Sequence, residues 1–149
     1  MSVSPSGRRE LDIAASGEGA REAALWLARE CEALQIPDDQ IYRIDTCMSE
    51  ALANVISHGG EGGLKAPVRL VLSAGFDGEE AEAVLSISDH GVAFDPIAAA
   101  IKPRAHSLDD AVPGGLGLTM IRKFSDAQHY VHADAQNHLT LSFRWTVSG

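Results

Sequence analysis

The segment from Val68 to Asp89, "VRLVLSAGFDGEEAEAVLSISD", constrains the fold more than any other. Val68, Leu70 and Leu72 alternate with Arg69 and Ser73 before Asp77-Gly78, and Leu85, Ile87 and Asp89 share one parity after it. Period-two alternation marks a half-buried strand. Asp-Gly between two such runs is a strong hairpin signal. The pair therefore presents one apolar face, which needs a second layer to cover it.

The rest of the chain supplies that layer. "RELDIAA" reads as a short first strand. Over residues 20–34, Ala23, Ala24, Leu27, Ala28 and Leu34 recur at helical spacing. "IPDD" breaks the chain, with Pro37 and an Asp to cap the next helix. That helix spans residues 39–58, with an apolar stripe of Ile41, Ile44, Met48, Ala51, Leu52 and Val55, and Gly59 and Gly60 end it. "EGGLKAP" reads as a loop. Asp95-Pro96 would start a short helix as N-cap and first residue, within a long irregular stretch. A third main helix over 117–124 precedes two closing strands, "AQHYVHADA" and "HLTLSFRWTV". The expected fold is α+β: a two-layer sandwich in which a mostly antiparallel, mixed sheet is covered on one face by about three helices.

A length of 149 residues suits one domain, 1–149, with a substantial core. The net charge of −9 argues against a nucleic-acid or anionic-membrane surface, since both want clustered Lys and Arg. Cys31 and Cys47 lie on separate helices without a CxxC start, so they read as free thiols rather than zinc ligands. That fits a reducing compartment. "MSVSPSGRRE" lacks a leader's apolar stretch, and no run approaches the ~20 apolar residues of a membrane span. The expected location is cytoplasmic. Trp26 and Trp145 read as core or edge residues, and the histidines form no metal pattern.

Three stretches could carry chemistry. In "DTCMSEALANVISHGG", Glu50, Asn54 and His58 recur every four residues. At ~100° per residue Glu50 and Asn54 lie roughly opposite the apolar stripe, so periodicity alone makes them a solvated face. In "ISDHGVAFDP", Asp89 points toward the helix-covered face, where a carboxylate must find a partner or a ligand. Gly91 lets a backbone approach closely, and Asp-x-Gly equally suits a capped turn. In "PGGLGLTMIRKFSD", Gly114, Gly115 and Gly117 lie before an amphipathic helix whose N-terminal N–H groups can hold an anion. Neither the dinucleotide fingerprint nor a Walker P-loop is present.

Together, in this order and spacing, the three resemble the GHKL ATPases, the group of gyrase, heat-shock chaperone, histidine-kinase and mismatch-repair ATPases. "EALANVISHG" resembles their N-box, "DHGVAFDP" their first glycine box and "GGLGLTMI" their second. The wording looks most like the bacterial anti-sigma-factor serine kinases, over residues 39–125 by motif. The resemblance implies a Bergerat-type fold with ATP and Mg²⁺ as cofactors. Asn54 would coordinate Mg²⁺, and Glu50 would accept or position the proton of an attacking serine hydroxyl. Asp89 would accept a hydrogen bond from the adenine amino group, with Gly91 allowing close approach. Gly115 and Gly117, with Leu118 beside them, would hold the phosphates, under a lid in which Lys102 or Arg104 steadies charge. Implied partners are an anti-anti-sigma protein of STAS type and a sigma factor or analogous regulator, with a homodimer as a further implication.

The match departs at two places. Ala93 stands where the first box usually carries a second glycine. Asn137 and His138 stand near the place of a Gly-Thr pair beside the adenine pocket, so that contact is either remade or lost. His58 is expected to satisfy carbonyls at its helix end. Two other functions stay open: a non-catalytic nucleotide-sensing module that sequesters its partner, and the detached ATP-binding half of a histidine kinase.

Overall fold

In a computed structural model, residues 7–101 and 115–147 are described. In chain order the elements are β1 (Gly7–Ile13), α1 (Gly17–Ala33), α2 (Asp38–His58), α3 (Gly60–Lys65) and β2 (Val68–Asp77). They continue as β3 (Glu80–Asp89), α4 (Pro96–Ile101), α5 (Gly115–Phe124), β4 (Ala127–Ala133) and β5 (Gln136–Thr146).

The hairpin expected from Asp77-Gly78 is the centre of a five-stranded sheet ordered β1-β2-β3-β5-β4. Gly78 has φ 64°, a left-handed value that glycine adopts without a steric penalty. Leu70 pairs with Ile87 and Leu72 with Leu85, so the apolar parities of both strands meet on one face. Every pairing is antiparallel, and the mixed character allowed by the sequence is absent from the described strands. The β4–β5 turn has no glycine: Asp134 and Ala135 take φ 55° and 60°, the signature of a type I′ hairpin.

The inner face of the sheet is covered by α1, α2 and α5 in one continuous core. Leu27 and Cys31 from α1, Ile44, Cys47 and Met48 from α2, and Ile121 from α5 are fully enclosed against Leu72, Leu85, Leu141 and Phe143. Trp26 joins this core, and Trp145 stands edge-on to Phe76 with ring centroids 6.2 Å apart. Both cysteines are free, and burial pushes each thiol up to about 12. The opposite face is polar, with Ser86 facing Thr140 and Ser88 bonded to His138 at 2.9 Å. No described helix is long and apolar enough to cross a membrane.

Three local readings are corrected. Helix α1 starts three residues earlier than residue 20, because the Ser16 side chain accepts from Gly19 N at 3.1 Å and caps it. No Asp caps α2: Pro37 is the N-cap without a side-chain bond, and Asp38 and Asp39 lie in the first turn, where they favour the helix dipole. Residues 60–65 form a helix rather than a loop. Three of its six residues are glycines, which disfavour a helix on propensity. A tertiary contact compensates: a Cβ on Gly63 would lie 2.6 Å from the Gly91 Cα.

Candidate functional site

Helix α2 turns its apolar stripe to the sheet and carries Asn54 on the shoulder of that stripe, not opposite it. Asn54 is half-buried and its Nδ2 is shut off from solvent with no hydrogen-bond partner. It lines a cleft together with Ala51, Val55 and His58 from the same helix. Glu50, one turn earlier, is half-buried and lies outside the cleft wall. His58 does not serve the helix end. Its ring stacks on Phe94 at 4.2 Å and 12°, while Gly59 N closes the helix on Val55 O at 2.8 Å.

Strand β3 delivers Asp89 to the floor of the same cleft, as its parity with Leu85 and Ile87 dictates. The carboxylate is 6% exposed. Its Oδ1 accepts from Gly91 N at 2.8 Å and from Asn137 Nδ2 at 3.0 Å. Oδ2 has no protein partner among the described residues. The turn-capping and ligand-binding readings of Asp89 therefore use different oxygens of one group, and are compatible.

Gly91 is close-packed against protein: a Cβ there would lie 2.7 Å from the Gly59 Cα. The close approach that a glycine permits here is between the ends of β3 and α2. Beyond the turn, Asp95 Oδ1 accepts from Ile97 N at 2.9 Å and Ala98 N at 3.2 Å, capping α4 as expected, and Pro96 is its first residue.

Asn137 stands near the place where the family pattern named above would carry a Gly-Thr pair. It pairs across the sheet with Asp89 and is 6% exposed. Its Nδ2 also donates to Gly91 O at 3.3 Å and Val92 O at 3.0 Å. Its Oδ1 accepts from Phe94 N at 3.2 Å and from the Tyr130 hydroxyl. Burial, with the carboxylates of Asp95 and Asp89 nearby, holds the Tyr130 phenol above its ordinary value and outweighs the opposing Phe94 N–H bond. Tyr130 and Phe94 were not legible as site residues. Asn137 was half legible, since it shares strand parity with the inward Leu139, Leu141 and Phe143.

The cleft is a narrow slot with about 30 Å³ of space, partly open to solvent. Its walls are mainly apolar, with Ile87, Leu139, Val92 and Pro96 beside the polar Asp89, Asn54 and Asn137. An apolar slot with one unused acceptor suits a planar base bearing an amino group. No three His, Cys, Asp or Glu side chains cluster among the described residues. A cation here would take Asn54 from the chain and the rest of its shell from phosphate and water, as Mg²⁺ commonly does. Asn54 would play that part through its carbonyl oxygen, since the orphaned Nδ2 is a donor and not a metal ligand.

Gly115, Gly117 and Leu118 lie in the first turn of α5, which begins two residues earlier than the expected 117. Helix α5 is tied to α2 by Tyr42 against Phe124, 6.0 Å between centroids, and by Cys47 Sγ, 3.8 Å from Ile121 O. Gly114, Lys102 and Arg104 lie outside the described residues.

Comparison with known proteins gives concordant findings. Residues 13–143 match the family described as the histidine kinase-like ATPase domain. A serine/threonine-protein kinase of Bordetella bronchiseptica, BtrW, is 36% identical over 132 residues, 89% of this chain and 90% of that protein. An anti-sigma F factor of Clostridium beijerinckii is 33% identical over 89 residues, 60% of this chain and 59% of that one. Among solved structures, the RsbU and RsbW domains of a Mycobacterium tuberculosis protein superpose with a TM-score of 0.64 at 17% identity. That match covers 97% of this chain and 34% of the other. The SiaB–SiaC complex of Pseudomonas aeruginosa gives a TM-score of 0.57 at 17% identity, covering 92% and 89%. These two establish likeness of fold.

Proposed function

This chain belongs to the histidine kinase-like ATPase domain family, and from that premise we propose that it is a single-domain, cytoplasmic protein serine kinase of the anti-sigma type. It binds Mg-ATP in the Asp89 cleft, phosphorylates a serine on an anti-anti-sigma protein of STAS type, and sequesters a sigma factor or analogous regulator. The names of the relatives, a serine/threonine-protein kinase and an anti-sigma F factor, support this reading. The observation that carries it is the divided Asp89 carboxylate, with Oδ1 held by two N–H donors and Oδ2 left to a ligand.

Each residue has a definite task. Asp89 Oδ2 accepts a hydrogen bond from the exocyclic amino group of adenine. Gly115 and Gly117 present backbone N–H groups at the start of α5, where an anion is favoured. Asn54 would hold Mg²⁺, which when bound draws the phosphate oxygens together and offsets their charge. Glu50 takes the proton from the serine hydroxyl as its oxygen bonds to the γ-phosphorus and the bond to the β-bridging oxygen breaks, releasing ADP. The product serine gains roughly −1.5 to −2 charges. Beside a chain of net charge −9 this favours release of the phosphorylated partner.

The test is calorimetric titration with ATP, with and without Mg²⁺, on wild type and Asn54→Ala, followed by mass spectrometry of candidate partners. Mg²⁺-dependent binding lost in the variant, with phosphoserine on a partner, is the expected result. Binding without phosphoserine on any partner would point instead to a nucleotide-sensing module. No binding by wild type would overturn the reading.

A further inference from the structure

We infer that Asn137 is a positioning residue that holds Asp89 in a single orientation, and that this makes the cleft select purines with an amino group at C6 over those with a carbonyl there. The inference rests on the nucleotide-binding reading above and assigns the selectivity to a residue outside the three motifs.

The hydrogen bonds around Asn137 have one consistent direction. Phe94 N donates to the Tyr130 hydroxyl at 3.2 Å, so that hydroxyl spends a lone pair on Phe94 and its proton on Asn137 Oδ1. The Asn137 amide is then oriented from both ends. Its oxygen meets two donors, and its nitrogen meets three acceptors: Asp89 Oδ1, Gly91 O and Val92 O. Turning the amide over would set oxygen against three oxygens. With Nδ2 fixed as a donor, Asp89 Oδ1 has two N–H partners and the carboxylate cannot rotate without losing both. The carboxylate oxygen left without a partner among the described residues is Oδ2.

An acceptor-only edge pairs with an amino group and repels a carbonyl oxygen. Adenine carries the amino group at C6, whereas hypoxanthine and guanine carry a carbonyl. Without Asn137, the carboxylate can rotate away from that carbonyl, and the preference between the two bases weakens. The selectivity thus depends on a side chain that need not touch the base.

The experiment compares Kd for ATP and ITP, both with Mg²⁺, in wild type, Asn137→Ala and Tyr130→Phe. Sites built around a buried hydrogen bond reject a mismatched partner strongly, so wild type should prefer ATP by at least about 100-fold. Asn137→Ala should lower that ratio by about tenfold or more, the size of one lost charge-assisted hydrogen bond. Tyr130→Phe should lower it by a few fold, with the fold intact, and carries the test if Asn137→Ala fails to fold. An equal loss of affinity for both nucleotides, or an unchanged ratio in Tyr130→Phe, would overturn the inference while leaving the nucleotide site in place. Failure of wild type to bind either nucleotide would remove both.

Discussion

A Cβ atom placed on Gly91 would lie 2.7 Å from the Cα of Gly59 and 3.1 Å from its carbonyl oxygen. The end of β3 and the end of α2 therefore touch backbone to backbone, and Val92 N donates to Gly59 O at 3.2 Å across the contact. The same turn supplies the Gly91 N–H that holds Asp89 Oδ1. Gly91→Ala should destabilise the protein by about 1–3 kcal/mol, the usual cost of overpacking. It should also weaken ATP binding, because the turn must shift away from Asp89. Thermal denaturation checks the first effect and calorimetry the second. A melting temperature equal to wild type would refute the close contact.

Asp89→Asn keeps the size of the side chain and removes its charge. An amide nitrogen at the position of Oδ2 would face the amino group of adenine donor to donor. ATP affinity should fall about 10–100-fold, the range for a hydrogen bond to a charged group. Calorimetry measures it, and near-UV circular dichroism should remain that of wild type.

Glu50→Gln should separate chemistry from binding. Glu50 is half-buried and outside the cleft wall, so ATP affinity should stay within about twofold. Phosphoryl transfer should drop by about 10²–10⁴-fold, the contribution of a general base. A quenched-flow single-turnover assay with a phosphorylatable partner reads it. Unchanged transfer would remove Glu50 from the mechanism.

Ala135 holds φ 60° in the β4–β5 turn, a region that costs a residue with a Cβ about 1–2 kcal/mol. Ala135→Gly relieves that cost and loses some of it to the greater freedom of the unfolded chain. A net gain of about 0.5–1 kcal/mol is expected, raising the melting temperature by roughly 1–4 °C. A drop in melting temperature would contradict the turn geometry.

Burial raises the Asp45 carboxyl above its ordinary value of 3.8. The folded state then holds the proton more tightly than the unfolded state. This contribution to stability is fully present below pH 3.8 and is lost as pH rises through the folded value. At neutral pH the ionised group is a liability. Asp45→Asn should therefore raise the melting temperature at pH 7 by roughly 1–2 °C, with the gain vanishing at acid pH. Denaturation at both pH values is the check.

The alternation of Val68 to Asp89 around Asp77-Gly78 determined the hairpin, its inner face and the burial of Asp89, because period two decides which side a side chain takes. Helical spacing likewise determined α2 and its buried stripe. These are short-range properties, set by backbone geometry and the removal of apolar area from water. Helix α3 was decided elsewhere, since Gly63 can lie against Gly91 only once α2 and β3 have been brought together. The His58–Phe94 stack and the Asn137 clamp on Asp89 follow the same rule. Each joins residues distant in the chain, and 48 positions separate Asn137 from Asp89. Sequence spacing carries no record of such contacts. They exist because a buried polar group must find its partners in whatever the folded chain places beside it.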